Sequence, residues 1–136
     1  MPSGDRLVVA DASALIELLL LGPAAVLVER RLFGDGETVH APHLVDVEVA
    51  QGIRRCVRRG TVTAERGLEA VTDLGNLAVT RYPHDVFLNR IWGLRANLTA
   101  YDAAYIALAE ALGAPLVTRD RGLASAPGHR AKIEIL

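Results

Sequence analysis

Four residues near the start of the chain, Leu7-Val8-Val9-Ala10, are apolar without alternation and run directly into a carboxylate, Asp11. An unbroken apolar run of strand length suits a strand covered on both faces in a parallel sheet, rather than the half-solvated strand of an antiparallel one. Helical spacing begins at once, with Ser13 or Ala14 opening a helix through Leu21. A covered parallel strand that passes straight into a helix restricts the chain to the α/β class.

The rest of the sequence repeats the alternation. Gly22 ends the first helix, and Pro23 suits the first turn of a second that reaches about Phe33. The turn Gly34-Asp35-Gly36-Glu37 leads into a second strand, Thr38 to Pro42, and Pro42 or His43 opens a helix that stops at Gly60. Thr63 caps the next helix, through Gly75, with Arg66 where a capping box would have Glu. Leu77 to Pro83 reads as a third strand, followed by a helix from His84 to about Asn97. Thr99 caps a helix that Gly113 closes, after which Ala114–Asp120 and Ala131–Leu136 are the fourth and fifth strands. The expected architecture is a three-layer α/β/α sandwich around a parallel sheet of about five strands, with right-handed crossovers, in one domain spanning residues 1–136.

Composition removes several function classes. A chain that is 51% hydrophobic and 23% charged can build a core and is not a disordered segment. Net charge is only −1, so any nucleic-acid partner must be met by a local patch. The most apolar stretch, Ala14 to Val28, is broken by Glu17 and by Gly22-Pro23, and neither half approaches the roughly 20 residues of a bilayer span. Met1 to Arg6 lacks the pattern of an export signal, and the single cysteine, Cys56, has no partner for a disulfide or a zinc cluster. These features point to a cytoplasmic protein without membrane contact. His40, His43, His84 and His129 are dispersed and read as structural or surface residues.

Four carboxylates stand where apolar or neutral residues would serve the fold better. Asp11 and Asp120 close the first and fourth strands, at the sheet edge where ligands of open α/β sheets gather, although each alone suits a helix cap or turn. Asp102 falls at i, i+4 and i+7 with Ile106 and Ala109, so it heads the stripe expected to face the sheet; the alternative is an acid favoured by the helix N-terminal dipole. Glu48 shares a helix face with Leu44, Val45 and Gly52, while Asp46 lies about 200° round the helix and reads as a solvated surface acid. Gathered and partly buried, such carboxylates repel one another and take up protons unless a cation is present. An all-oxygen donor set favours Mg²⁺ or Mn²⁺ over Zn²⁺ and points to a phosphodiester or phosphoryl substrate. On this reading Asp11 and Asp102 bind metal directly, Glu48 binds through water or orients the nucleophile, and Asp120 holds a second metal.

Weaker signals surround them. Arg54, Arg55, Arg58 and Arg59 form a basic cluster on the Glu48 helix, either a solvated helix end favoured by the dipole or a contact for substrate phosphate or a partner protein. Arg119 and Arg121 flank Asp120 and read as phosphate contacts or solvated loop charges. Tyr101 and Tyr105 flank Asp102, where base stacking competes with core or dimer packing.

The stretches VVADASALI, PHLVDVEVAQGIRR, LTAYDAAYIALAEALGAPLVTRD and the following RGLA together resemble the PIN-domain nucleases, and within them the VapC toxins of bacterial toxin–antitoxin pairs. The likeness runs in order along almost the whole chain, and only Thr63 to Asn97 carries no motif. It implies an acidic pocket binding one or two Mg²⁺ or Mn²⁺ ions, with Asp11, Glu48, Asp102 and Asp120 as its acids and Ser13 and Thr118 as supporting hydroxyls. It also implies cleavage of RNA to a 5′-phosphate and a 3′-hydroxyl, a homodimer, and silencing by a VapB-like antitoxin whose C-terminal segment blocks the pocket. An aspartyl-phosphate phosphatase would need a second Asp where Ser13 stands, and it and a receiver domain alike need a lysine that this chain, with Lys132 alone, does not supply. A PIN-like scaffold that has lost catalysis and a PIN nuclease serving RNA processing remain open at this point.

Overall fold

In the computed structural model, which describes residues 6–34 and 36–136, the opening apolar run forms β1 (Leu7–Ala10) at the centre of a five-stranded sheet. Met1–Asp5, part of the stretch read above for an export signal, and Asp35 of the expected turn lie outside the described residues. β2 (Thr38–Pro42), β3 (Val79–Tyr82), β4 (Leu116–Thr118) and β5 (Ile133–Ile135) complete the sheet in the order β3-β2-β1-β4-β5, and every pairing is parallel. Val8, Val9 and Ala10 are wholly buried because helices cover the sheet, which is why this strand carries no polar alternation. The chain moves outward from β1 through β2 to β3, then returns across β1 to add β4 and β5. The strand order therefore reverses at β1, and the crevice beyond its C-terminal end is where such sheets bind ligands.

The helices are α1 (Ala12–Leu19), α2 (Ala25–Phe33), α3 (Val45–Arg58), α4 (Ala64–Asn76), α5 (Leu88–Gly93), α6 (Ala100–Leu112) and α7 (Arg121–Ser125). Thr63 and Thr99 cap α4 and α6, each hydroxyl accepting the N–H three residues on at 3.1 Å, and left-handed Gly113 (φ 62°) closes α6.

Several boundaries differ from expectation for local reasons. α1 begins at Ala12, not Ser13 or Ala14, because Asp11 is itself the cap. It ends at Leu19, not Leu21: Leu21 turns left-handed (φ 54°) while its N–H reaches Leu18 O and that of Gly22 reaches Glu17 O, a Schellman closure with leucine in the glycine position. The helix expected from His84 to Asn97 is a 3₁₀ turn (Asp85–Phe87) followed by the short α5, which ends at Gly93. α6 does not present a single stripe; Ala103 through Ala109 are all buried, because α5 packs on it from outside and the sheet from within. α7 was not expected, being too short to show a period. Among the described residues no helix is long and apolar enough to cross a membrane.

Candidate active site

The parallel register of β1 and β4 sets Ala10 opposite Val117, so Asp11 and Thr118 emerge side by side beyond the last pair. Thr118 Oγ1 donates to Asp11 Oδ2 at 2.5 Å, and Ser13 Oγ donates to Oδ1 at 2.7 Å, which also accepts the Ala14 N–H at 3.1 Å. The hydroxyls are themselves oriented by the chain leaving β4: Arg119 N–H donates to Ser13 Oγ and Asp120 N–H to Thr118 Oγ1, both at 2.9 Å. With both hydroxyl protons directed at Asp11, the 3.3 Å approach of Ser13 to Thr118 is a contact without a proton to share. Asp11 is 7% exposed, and its burial pushes the carboxyl above the usual aspartate range despite these three donors, with Asp120 adding repulsion.

Glu48 reaches the same place from the first turn of α3. That helix approaches α1 closely because Gly52 has no side chain; a Cβ there would collide with Ile16 Cδ1. Tyr105, 2% exposed in the middle of α6, donates its hydroxyl to Glu48 Oε1 at 2.7 Å. Burial raises the Glu48 carboxyl, Asp102 and Asp11 raise it further, and Tyr105 and the nearby Arg55 oppose them. Burial also raises Asp102, reinforced by Asp120 and Asp11. Burial and the Glu48 charge hold Tyr105 protonated, so it remains a donor.

Asp11, Ser13, Glu48, Asp102 and Asp120 line one pocket of about 200 Å³, with Ala12, Ile16, Arg55 and Tyr105 completing its wall. The structure thus brings all four expected acids together from four separate elements. Asp120 is the most open of them; it caps α7, its Oδ1 accepting the Gly122 N–H at 2.9 Å. Capping and pocket lining coincide at both Asp11 and Asp120, so the two readings of these residues were not exclusive. Among the described residues no three His, Cys, Asp or Glu side chains stand close enough to clasp one metal ion as they are.

The basic residues separate. Arg55 lines the acid pocket, whereas Arg54 and Arg58 lie along an apolar groove between α3 and α4, and Arg59 is the C-cap of α3. Arg119 donates to the Leu136 carbonyl at 2.8 Å and lies 3.9 Å from Glu17, while Arg121 is exposed. Asp46 is a surface acid, its side chain 44% exposed, but a paired one: Arg81 on β3 grips it with Nε on Oδ2 at 2.8 Å and Nη2 on Oδ1 at 2.9 Å. The two tyrosines also part, Tyr105 entering the core and Tyr101 remaining 64% exposed. His40 is buried between the Thr38 and Tyr82 hydroxyls, at 2.7 and 2.6 Å, where burial lowers its basicity. Sequence reading missed the Tyr105–Glu48 bond. Its one signal is the spacing of Tyr105 three residues after Asp102, which puts both side chains on one helix face.

Comparison with known proteins supplies independent information. A family model described as PIN domain matches residues 8–128. Ribonuclease VapC12 of Mycobacterium tuberculosis is 47% identical over 130 residues, covering 96% of this chain and 99% of its own. VapC ribonuclease Mb0985 of Mycobacterium bovis is 48% identical over 114 residues, 84% of this chain and 86% of its own. Among solved structures, PAE2754 from Pyrobaculum aerophilum superposes with a TM-score of 0.63 at 28% identity, covering 95% of this chain and 83% of that one. VapBC2 from Rickettsia felis, solved bound to a DNA fragment from its promoter, gives a TM-score of 0.68 at 14% identity over 96% of this chain and 98% of that one, a likeness of fold alone.

Proposed function

The chain belongs to the PIN-domain family and is of the VapC type within it, and on that premise we propose that it is a toxin endoribonuclease that hydrolyses RNA phosphodiester bonds with Mg²⁺ or Mn²⁺. The observation that carries this reading is the convergence of Asp11, Glu48, Asp102 and Asp120 on one pocket. Their donors are all hard oxygens, burial and mutual repulsion have raised three of them, and among the described residues Arg55 is the one cation in the wall. That charge imbalance suits a divalent ion. Mg²⁺ keeps several waters and needs few direct protein ligands, so carboxylates that do not already clasp a point in space match its habit.

Asp11 and Asp102 would hold the ion directly, with Asp120 and Glu48 reaching it in part through water. When bound, the ion supplies a water of lowered pKa and offsets charge on the phosphate oxygens. Ser13 and Thr118 fix the plane of the Asp11 carboxylate. Tyr105 occupies Glu48 Oε1, leaving Oε2 to orient the attacking water and accept its proton. Attack at phosphorus breaks the P–O3′ bond; the leaving 3′ oxygen takes up a proton from solvent to give a 3′-hydroxyl strand, and the phosphate stays on the 5′ end of the other.

A VapB-like antitoxin and a second copy of the chain are the expected partners, acting together in the cytoplasm. Apolar side chains support both: Leu18, Leu19, Leu21, Phe33 and Leu77 line a concavity of about 460 Å³ away from the acids, and Val86, Leu88 and Trp92 are exposed on and before α5. The test is cleavage of RNA by purified protein. Asp11→Asn and Asp102→Asn should abolish Mg²⁺-dependent cutting with an unchanged circular dichroism spectrum. Near wild-type cutting by contaminant-free Asp11→Asn would overturn the assignment.

A further inference from the structure

The acid pocket, at about 200 Å³, is smaller than the clefts of roughly 300–1,000 Å³ that enclose small molecules. It admits a phosphate and its cation, but the base and sugar of the nucleotide must lie elsewhere. A second concavity of about 380 Å³ opens beside it, lined by Val47, Glu48, Gln51, Arg55 and Tyr101. Glu48 and Arg55 belong to both walls, so the two spaces adjoin. Val47, Gln51 and Arg55 recur every four residues along α3 and form one stripe, and Tyr101 faces it from the first turn of α6, next to Asp102.

None of these side chains is occupied by the fold. Val47, Gln51, Arg55 and Tyr101 are exposed, and among the described residues Arg55 has no carboxylate within 4 Å. This contrasts with Arg31, Arg81 and Arg90, which are committed to ion pairs. The trough therefore offers a free guanidinium, an open aromatic ring, an amide able to donate and accept, and an apolar pad, all adjoining four carboxylates. Those are the four chemistries a nucleotide requires.

We propose that the trough is a nucleotide subsite, resting on the ribonuclease reading above: Arg55 takes the phosphate next to the scissile one, Tyr101 stacks on a base, and Gln51 meets that base's edge. Val47 packs against the ribose. The test measures binding of random-sequence single-stranded RNA, and of an abasic ribose-phosphate chain of equal length, in the Asp11→Asn background. Adding Tyr101→Ala should weaken binding of the base-bearing strand roughly 5- to 150-fold and leave the abasic chain unaffected. Tyr101→Phe should retain the affinity. Arg55→Gln should weaken both ligands alike and reduce the slope of log affinity against log salt by about 0.7. Equal losses on both ligands for Tyr101→Ala, no loss at all, or a changed mass by light scattering that makes Tyr101 an interface residue would each overturn the subsite. Wild-type protein that cuts no RNA with Mg²⁺ would instead overturn the ribonuclease reading, so the two failures are distinguishable.

Discussion

At the scale of single residues, the site depends on how Asp11 is held. Its two oxygens take three hydrogen bonds, two of them from hydroxyls that backbone N–H groups leaving β4 have already oriented. Thr118→Val removes the bond to Asp11 Oδ2 and the acceptor for the Asp120 N–H at a position with no solvent to replace them. It should cost roughly 1–3 kcal/mol in urea unfolding and slow cleavage, whereas Thr118→Ser should keep most of both. Asp11 was legible in sequence because an apolar run ended abruptly in a charge. The Tyr105–Glu48 bond was not, because it joins residues 57 apart on two helices whose separation is set by packing. The ion pair of Asp46 was hidden for the same reason: helical phase showed correctly that it is a surface acid pointing away from Glu48, but its partner Arg81 lies on β3, which no local pattern relates to α3.

At the scale of elements, most of the alternation of strands and helices could be read from apolar runs and caps, and the failures fall where tertiary contacts override local preference. Leu21 is the clearest case. It sits left-handed and 73% exposed, a conformation that costs a non-glycine residue roughly 1–2 kcal/mol and that no sequence rule assigns to leucine. It also lines the 460 Å³ concavity described above. Leu21→Gly should raise the stability of the isolated protein by about 0.5–1 kcal/mol, read from the urea midpoint. A second element-level restraint ties α5 to α6, where Arg90 Nε and Nη2 donate to the two oxygens of Glu110 at 2.8 and 2.9 Å and Arg130 N–H adds a third bond at 2.7 Å. Arg90 first, with help from the Arg130 N–H, holds this nearly buried carboxylate below the usual glutamate range. Its contribution is therefore complete above the unfolded-state value and is lost as pH falls through the lower folded-state value. Glu110→Gln should destabilise the protein by roughly 1–3 kcal/mol at neutral pH. The gap to wild type should narrow below about pH 4, and a gap that stays constant on acidification would show that the pairing is not the cause.

At the scale of the whole molecule, the sheet brings together groups that oppose its own stability. Strand order reverses at β1, so β1 and β4 deliver Asp11 and Asp120 to one crevice while α3 and α6 bring Glu48 and Asp102 over it. Three of these carboxyls are raised by burial and by their neighbours, so at neutral pH their charge is a net cost that the surrounding core must offset. A bound divalent ion offsets that cost in the folded state alone and must stabilise the protein increasingly as its concentration exceeds the dissociation constant. At an ion concentration 100 times the dissociation constant, linkage gives about 2.7 kcal/mol, and for a chain of this length that corresponds to a rise in Tm on the order of 10 °C. The rise should appear with Mg²⁺ and Mn²⁺ in the absence of RNA, so it does not depend on activity. Asp102→Asn should lose most of it, whereas Glu65→Gln, an exposed acid on α4, should keep it. Equal shifts in Asp102→Asn and wild type would place the ion elsewhere on the surface. No shift in wild type would mean that the acids share protons rather than a cation, and the catalytic reading of the pocket would have to be abandoned with it.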